Sequence, residues 1–284
     1  MKIITRELPK RHNIYLAGDF HLGTIACHIH GIKQLIASVA EDKDGYLSIM
    51  GDLAEAITID DKRFNRGTED PKIPVPLLQY QEVVKLFRPI RHKTLLCLQG
   101  NHDWAIENRF GNFVRDYVCK ELEVEYGTPS CKLVIKDTRG NLQYKMFLAH
   151  SPGGSITSNA DDPLRRDANM KLSLKRKLHD KAGDTLAMCA GHSHKLLVFP
   201  PTKKLYLIDD GRNVKQRYTE TNPRYEYIDE NLRWYVNTGS FHKLYVMGEG
   251  TYSEKIGYPP TELGFVKVIG DGGTIQSIEP IIVG

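Results

Sequence analysis

The sequence has no apolar run long enough to span a membrane. Among its 284 residues, no stretch reaches the roughly 18 consecutive apolar residues that a membrane-spanning helix requires. It also lacks a charged start followed by an apolar segment and a small-residue cleavage site, which is the pattern of a secretory signal. We therefore predict a cytoplasmic protein that has no membrane partner.

Cysteine is scarce, and its placement argues against a disulfide framework. The five cysteines are odd in number, scattered and mostly embedded in apolar sequence. This pattern is typical of reduced thiols in a protein core. The positions are Cys27, Cys97, Cys119, Cys131 and Cys189.

The sequence shows no internal repeat and no low-complexity tract, and neither sign of charge dominates. The formal net charge is only +4, which permits an anionic substrate without requiring nucleic acid. With 40% hydrophobic and 26% charged residues, the chain is long enough to bury a large core. We predict a single domain over residues 1–284, with an exposed insertion near residues 209–230.

Five short polar motifs each follow an apolar run that reads as a buried strand. Two of these runs are residues 13–17 and 93–98, and ligands at the ends of such strands can converge on one edge of a sheet. In chain order the motifs are Gly18-Asp19-Phe20-His21, Gly51-Asp52, Gly100-Asn101-His102-Asp103, Ala149-His150 and Gly191-His192-Ser193-His194.

The residue types in these motifs suit a pair of divalent metal ions. Carboxylate and imidazole bind hard to borderline ions such as Mn²⁺, Fe²⁺ or Zn²⁺, and no motif contains a thiol. An aspartate can bridge two ions ~3.5–4 Å apart, which together polarise a phosphoryl oxygen and activate a water. Each motif alone is weak evidence, because Asp-x-His and Gly-Asp are common and Gly-His-Ser-His can be a surface loop. Their order and shared context make coincidence a poor explanation.

The motifs and their order resemble those of the calcineurin-like metallophosphoesterases from about residue 13 to residue 194. The resemblance implies an α/β fold in which two mixed β-sheets form a sandwich flanked by helices. It also implies two divalent metal ions, with Mn²⁺ as the first choice and Fe, Zn or Ni as alternatives. The implied ligands are Asp19, His21, Asp52 and His194 for the first metal, and Asp52, Asn101, His150 and His192 for the second.

The same resemblance implies a catalytic role for the histidine that is left free of metal. His102 would protonate the leaving oxygen or contact the phosphate, and Asp103 would orient its imidazole. The segment Asn237-Thr238-Gly239-Ser240, followed by Phe241, resembles a strand end common in the superfamily. It is either a simple turn or part of the lining of the site.

The sequence departs from the serine/threonine phosphatase branch of the superfamily. That branch carries Gly-Asp-x-x-Asp-Arg-Gly and Gly-Asn-His-Glu, whereas residues 51–56 here are Gly-Asp-Leu-Ala-Glu-Ala and residues 100–103 are Gly-Asn-His-Asp. The missing arginine would clamp a phosphomonoester. We therefore predict a metal-dependent phosphodiesterase that acts on DNA or RNA as a nuclease. A phosphomonoesterase acting on small metabolites or nucleotides, and a non-catalytic scaffold, are the alternatives.

Two basic stretches bear on nucleic-acid binding. The first covers residues 165–181. A helix over residues 167–181 would either present charge to phosphates or be an ordinary solvated helix with Leu172, Leu174 and Leu178 partly inward. The second interleaves basic residues with tyrosines that either stack on bases or pack against strands. Its members are Lys203, Lys204, Tyr206, Arg212, Lys215, Arg217, Tyr218, Arg224 and Tyr225.

The apolar periodicity and the turn residues predict most of the regular structure. We expect helices over residues 29–40 and 77–87, a loop or lid over 57–76, and a hairpin over 131–150. Further strands are expected at residues 46–50, 204–208, 233–236, 243–247 and 265–269.

Overall fold

Two six-stranded sheets packed face to face form the centre of the molecule. The computed structural model describes residues 1–61, 63–248 and 250–284. Both sheets mix parallel and antiparallel strands, and helices pack on their outer faces. The predicted α/β sandwich is therefore confirmed. None of the helices in the described part of the chain is long and apolar enough to cross a membrane.

The first sheet carries a run of parallel strands buried on both faces. Strands covered on both sides are apolar over most of their length, as residues 14–17 and 95–97 are. In spatial order the strands are β14 (Thr274–Ile282), β13 (Gly264–Asp271), β2 (His12–Ala17), β3 (Gly45–Ile49), β4 (Thr94–Cys97) and β5 (Glu125–Tyr126). Strands β2 to β5 are mutually parallel, so their carboxyl ends lie at one edge.

The second sheet brings its own parallel strands to the same edge. Strands β7, β8 and β12 run parallel to one another, and β9 runs antiparallel to β12. In spatial order the strands are β1 (Lys2–Glu7), β6 (Ser130–Lys136), β7 (Leu142–Ala149), β8 (Ala187–Ala190), β12 (Trp234–Thr238) and β9 (Leu196–Phe199). A separate two-stranded sheet contains β10 (Leu205–Asp209) and β11 (Val214–Tyr218).

The three longest helices bury one apolar face each against the sheets. In α1 (Ile29–Glu41), Ile32, Leu35 and Val39 recur at helical spacing and are fully buried against the first sheet. Burial of each such side chain stabilises the fold by about 1.5–3 kcal/mol. The helices are α1 (Ile29–Glu41), α2 (Pro76–Phe87), α3 (Asn101–Ala105), α4 (Glu107–Phe110), α5 (Cys119–Leu122), α6 (Pro163–Leu178) and α7 (Tyr252–Ile256), with a π-helical turn over Val114–Val118 and 3₁₀ turns over Arg66–Thr68, Arg88–Lys93 and Glu230–Leu232.

Most predicted elements are confirmed, and two details are wrong. Both predicted helices, the hairpin and the long loop before α2 are present. Residues 243–247 form no strand, because the chain has already passed the end of β12 and has no neighbouring ladder to join. Leu172 is 64% exposed, because it lies on the opposite face of α6 from the buried Leu174. The sequence analysis also missed β1, β5, β9, β11 and β14.

Candidate metal centre

The loops that follow five strands bring all seven predicted metal ligands to one place. The loops after β2, β3 and β4 come from the first sheet, and those after β7 and β8 come from the second. Nitrogen and oxygen atoms within 4.8 Å of one another form three overlapping groups. These groups are Asp19 with His21 and His194, His21 with Asp52 and His102, and Asp52 with His150 and His192.

Asp52 lies between the two halves of this cluster. Its Oδ2 is 3.3 Å from His150 Nε2 on one side and 3.8 Å from His21 Nε2 on the other. His194 Nε2 is 3.3 Å from Asp19 Oδ1 and 3.2 Å from His21 Nε2. An oxygen between two groups of imidazoles is the arrangement that a bridging carboxylate requires.

Asn101 joins the half of the cluster that contains His150. Asn101 Oδ1 is 2.9 Å from His150 Nε2, while His150 Nδ1 donates to the carbonyl of Met50 at 2.9 Å. The bond to Met50 fixes the orientation of the ring and directs Nε2 toward Asp52. Burial opposes the charged imidazole, but the carboxylates of Asp52 and Asp19 outweigh it and raise the pKa of His150 to about 10.

The backbone is strained at these loops. In the described part of the chain, eight residues other than glycine have a positive φ, and five of the eight are predicted ligands. Such conformations cost of order 1–3 kcal/mol each and persist where the surrounding structure enforces them, as at functional sites. The five are Asp19 (φ 51°), His21 (49°), Asp52 (49°), His192 (68°) and His194 (50°).

The two aspartates are buried carboxylates that need positive charge nearby. Burial favours the neutral acid, but the facing imidazoles outweigh it and hold the pKa of both Asp19 and Asp52 below the usual value. Asp19 Oδ1 is buried and has no hydrogen-bond partner among the described residues, although His194 lies close to it. A divalent cation fits this donor set, because it would satisfy that oxygen and the facing nitrogens together.

Backbone amides fix the second oxygen of each aspartate. His192 N donates to Asp19 Oδ2 at 2.9 Å, and His102 N donates to Asp52 Oδ1 at 2.8 Å. The second contact requires glycine at position 100, because a Cβ there would lie only 2.0 Å from Asp52 Oδ1. The carboxylates are therefore held in place without a cation.

Glu55 belongs to the site although the sequence analysis gave it no role. Its Oε2 accepts a hydrogen bond from His21 Nδ1 at 2.8 Å, which leaves His21 Nε2 facing the cluster. Burial opposes ionisation, but His102 and His21 outweigh it and lower the pKa of Glu55 to about 2. Its position three residues after Asp52 was the only signal in the sequence.

The predicted pairing of His102 with Asp103 is wrong. His102 Nδ1 donates to the carbonyl of Glu55 at 2.7 Å, so the opposite ring nitrogen is directed outward. Asp103 instead accepts from Tyr80 Oη at 2.7 Å and from Gly100 N at 2.8 Å. Adjacent residues of a helix point in different directions, so these neighbours on α3 do not meet. Burial and nearby Asp52 raise the pKa of Asp103 to about 6.

An arginine reaches the site from the long loop before α2. Arg63 Nη1 lies 3.0 Å from His102 Nε2, and its guanidinium is held by Asp61 at 2.8 Å. Burial opposes the charged form of His102, but Asp52 and Glu55 outweigh it and raise its pKa. Loop 57–76 was predicted only as a loop or lid, and nothing in its pattern singled out Arg63.

His242 lines the cluster near the first predicted metal position. Its ring centre is 4.8 Å from that of His21 and 5.6 Å from that of His194. No residue that the structure describes forms a hydrogen bond with its buried Nδ1. Burial and the neighbouring His21 lower the pKa of His242 to about 3, so the ring is neutral.

The segment over residues 237–241 braces the metal loops. Asn237 Nδ2 donates to the carbonyl of Gly191 at 2.9 Å, directly before His192. The carbonyl of Asp19 accepts from Phe241 N at 3.0 Å and from Ser240 Oγ at 3.2 Å. The segment is therefore the end of β12 and the connection after it, and it supports the metal loops.

The basic side chains of α6 are mostly bound to the protein itself. Lys177 donates to the carbonyl of Gly153 at 2.7 Å, and Lys175 lies 3.0 Å from Glu230. Lys171 donates to Thr202, and Arg166 to the carbonyl of Ala160. These contacts indicate that the basic side chains of α6 anchor the neighbouring loops. They disfavour the interpretation in which α6 presents its charge to phosphates.

No family model matches the chain, and the comparison with curated proteins found no match. Solved structures do resemble it, at low identity. They include a metallophosphoesterase from Sphaerobacter thermophilus (15% identity, TM-score 0.37, 96% of this chain and 89% of that one), the nuclease MPE from Pseudomonas putida (13%, 0.35, 94% and 87%) and Vps29 complexed with zinc from Entamoeba histolytica (11%, 0.39, 95% and 98%). At TM-scores below 0.5 these likenesses carry no functional conclusion.

Proposed function

We propose that the protein is a dinuclear-metal phosphodiesterase that cleaves nucleic acid. The observation that carries this proposal is the position of Asp52, whose carboxylate lies between two groups of imidazoles supplied by both sheets. The first metal would be held by Asp19, His21, Asp52 and His194, and the second by Asp52, Asn101, His150 and His192. Bound there, two divalent ions would polarise a phosphoryl oxygen and lower the pKa of a bound water.

His102 is placed to move a proton during the reaction. Because Nδ1 donates to the carbonyl of Glu55, Nε2 is the atom that exchanges a proton with the leaving oxygen. The carboxylates of Asp52 and Glu55 favour its protonated form. Asp103 acts at a distance, by fixing the amide of Gly100 and thereby the start of α3.

The experiment compares two chromogenic esters. Metal-stripped protein resupplied with Mn²⁺ is assayed on bis-p-nitrophenyl phosphate and on p-nitrophenyl phosphate, with Asp52→Asn as the control variant. We expect diester turnover that needs the metal and falls by at least ~100-fold in the variant. Full activity in Asp52→Asn, or no metal dependence, would overturn the mechanism. DNA and RNA are then tested as substrates.

A phosphomonoesterase is the second candidate, and Arg63 is the observation that favours it. The sequence lacks the arginine of the phosphatase motif, but Arg63 brings a guanidinium 3.0 Å from His102 Nε2. A monoester carries one more negative charge than a diester, so it gains more from such a contact. Preference for p-nitrophenyl phosphate in the same assay would favour this candidate. Asp61 partly balances the positive charge of Arg63, and this supports the diester as the first choice of substrate.

A further inference from the structure

The β10–β11 hairpin forms a ribbon that leaves the body of the protein. Every residue of both strands is exposed, and within the described part of the chain the two strands pair only with each other. A two-stranded ribbon is at best marginally stable on its own. An exposed ribbon with both faces uncovered is therefore a surface that a partner can use.

The register of the ribbon separates its side chains into two faces. Tyr206 pairs with Arg217 and Ile208 with Lys215, so these side chains share one face. The ladder extends one step, since Thr219 N donates to the carbonyl of Lys204, and Lys204 joins the same face. We call this the basic face. The opposite face is mostly apolar, with Leu205, Leu207, Val214 and Tyr218 beside Asp209 and Gln216.

The structure decides between two interpretations of the tyrosines in this region. Packing against neighbouring strands would bury them, but Tyr206 is 43% exposed and Tyr218 is 58% exposed. On the basic face, Tyr206 lies opposite Arg217 and two residues from Lys204. An exposed aromatic ring between two cations can stack on a base while the cations contact the phosphates.

The charge of the ribbon indicates what it binds. Residues 203–217 contain five cations and two carboxylates, a net charge of +3. Lys215 pairs with Asp210 in an exposed ion pair, which contributes little. A second copy of the chain would bring two such ribbons together against their mutual repulsion. A polyanion has the complementary charge.

We propose that the basic face of the β10–β11 ribbon binds the backbone and bases of a polynucleotide strand. The inference rests on the proposed function in one respect, namely that this polynucleotide is also the substrate. Strand β9 begins beside the loop of His194 and runs away from it, so the ribbon that follows lies toward the opposite end of the sheet. The four residues of β9 alone span ~13 Å. Only a substrate several nucleotides long can therefore contact the ribbon and the metal centre together.

Binding is measured first without catalysis. Metal-stripped full-length protein is titrated into a fluorescein-labelled single strand of about 30 nucleotides, and into the matching duplex, at several salt concentrations. For Lys204→Ala/Arg217→Ala we expect at least tenfold weaker binding and a salt slope reduced by ~1.4 for the single strand or ~1.8 for the duplex. For Tyr206→Ala we expect a loss of about fivefold or more on the single strand and little change on the duplex.

Matched controls separate the two faces and the general effect of charge. Leu207→Ala removes an apolar side chain from the other face, and Lys10→Ala/Arg11→Ala removes an exposed lysine and arginine elsewhere. Both controls should bind within twofold of the unchanged protein. All variants should retain turnover of bis-p-nitrophenyl phosphate, because this substrate is too small to reach the ribbon.

Three results would overturn the proposal. The first is unchanged binding in Lys204→Ala/Arg217→Ala. The second is a combined result in which heparin competes as effectively as polynucleotide and Tyr206→Ala has no effect on binding. The ribbon would then be a general contact for polyanions. The third is a stable dimer in analytical ultracentrifugation that Leu207→Ala dissociates, which would assign the ribbon to a second copy. Failure of the proposed function is distinct from these, because it appears in the diester assay and leaves the binding data intact.

Discussion

Arg63 and His102 meet at the mouth of the site, with Nη1 of the guanidinium 3.0 Å from Nε2 of the imidazole. Because His102 Nδ1 donates to the carbonyl of Glu55, the guanidinium faces the same nitrogen that would carry the catalytic proton. Substrate phosphate would have to enter between these two groups. The pair therefore joins phosphate binding to proton transfer.

Replacement of Arg63 by alanine should lower kcat/KM by about 10- to 100-fold, because a charge-assisted hydrogen bond to phosphate is lost. The loss should be larger on p-nitrophenyl phosphate than on its diester. Arg109→Ala is the control, since this arginine pairs with Asp60 at an exposed position. Equal activity of Arg63→Ala and the unchanged protein on both esters would show that Arg63 does not contact the substrate.

Glu55→Gln should weaken metal binding while leaving the fold intact. The neutral amide can still accept from His21 Nδ1 but no longer raises the basicity of the ring, so we expect 10- to 100-fold lower affinity for Mn²⁺. Chelator competition measures this affinity, and excess metal should restore most of the turnover. Glu107→Gln is the control, because its carboxylate accepts from Gln99 and not from a histidine. Unchanged affinity in Glu55→Gln would contradict the orienting role.

Binding of metal should release protons from the metal-free protein at pH 7. With a pKa raised to about 10, His150 is protonated there, whereas a metal ligand must be neutral. The apparent affinity should therefore rise with pH, by up to tenfold per unit, until about pH 10. Calorimetry in buffers of different ionisation enthalpy measures the protons released. A heat that does not depend on the buffer would contradict this prediction.

The same raised pKa fixes the sign of the pH effect on the stability of the metal-free protein. The stabilisation from charged His150 is fully present below its unfolded pKa of about 6.5 and is lost as pH rises through about 10. Thermal unfolding of metal-stripped protein should show this loss between those values. His150→Gln should remove that part of the pH dependence.

Asn237→Ala should destabilise the fold and loosen the last metal loop. The buried carbonyl of Gly191 would lose its partner, which costs about 1–3 kcal/mol. Denaturant unfolding of the metal-free protein measures the change, and Mn²⁺ affinity should fall with it. Asn141→Ala removes an amide from an exposed turn and should change stability by less than about 0.5 kcal/mol. Equal effects of the two substitutions would show that Asn237 does not support the loop.

Local sequence was sufficient to predict the helices and strands that have a strong apolar period or clear turn residues. The apolar spacing of Ile32, Leu35 and Val39 predicted α1, and the polar turn over residues 137–141 predicted the hairpin of β6 and β7. The four-residue strand β9 was missed, because its pairing with β12 decides its structure and no period is measurable over that length.

The order of polar residues in the sequence was enough to predict which groups gather at the candidate centre. Each of the five motifs follows an apolar strand, and such a strand places the residues that follow it at the edge of its sheet. The choice of seven ligands among these residues came from the family resemblance. The residues that surround this centre depend on the tertiary structure. Glu55, Arg63 and His242 reach the site, and Asp103 turns away from His102, through contacts between side chains whose direction no local pattern specifies.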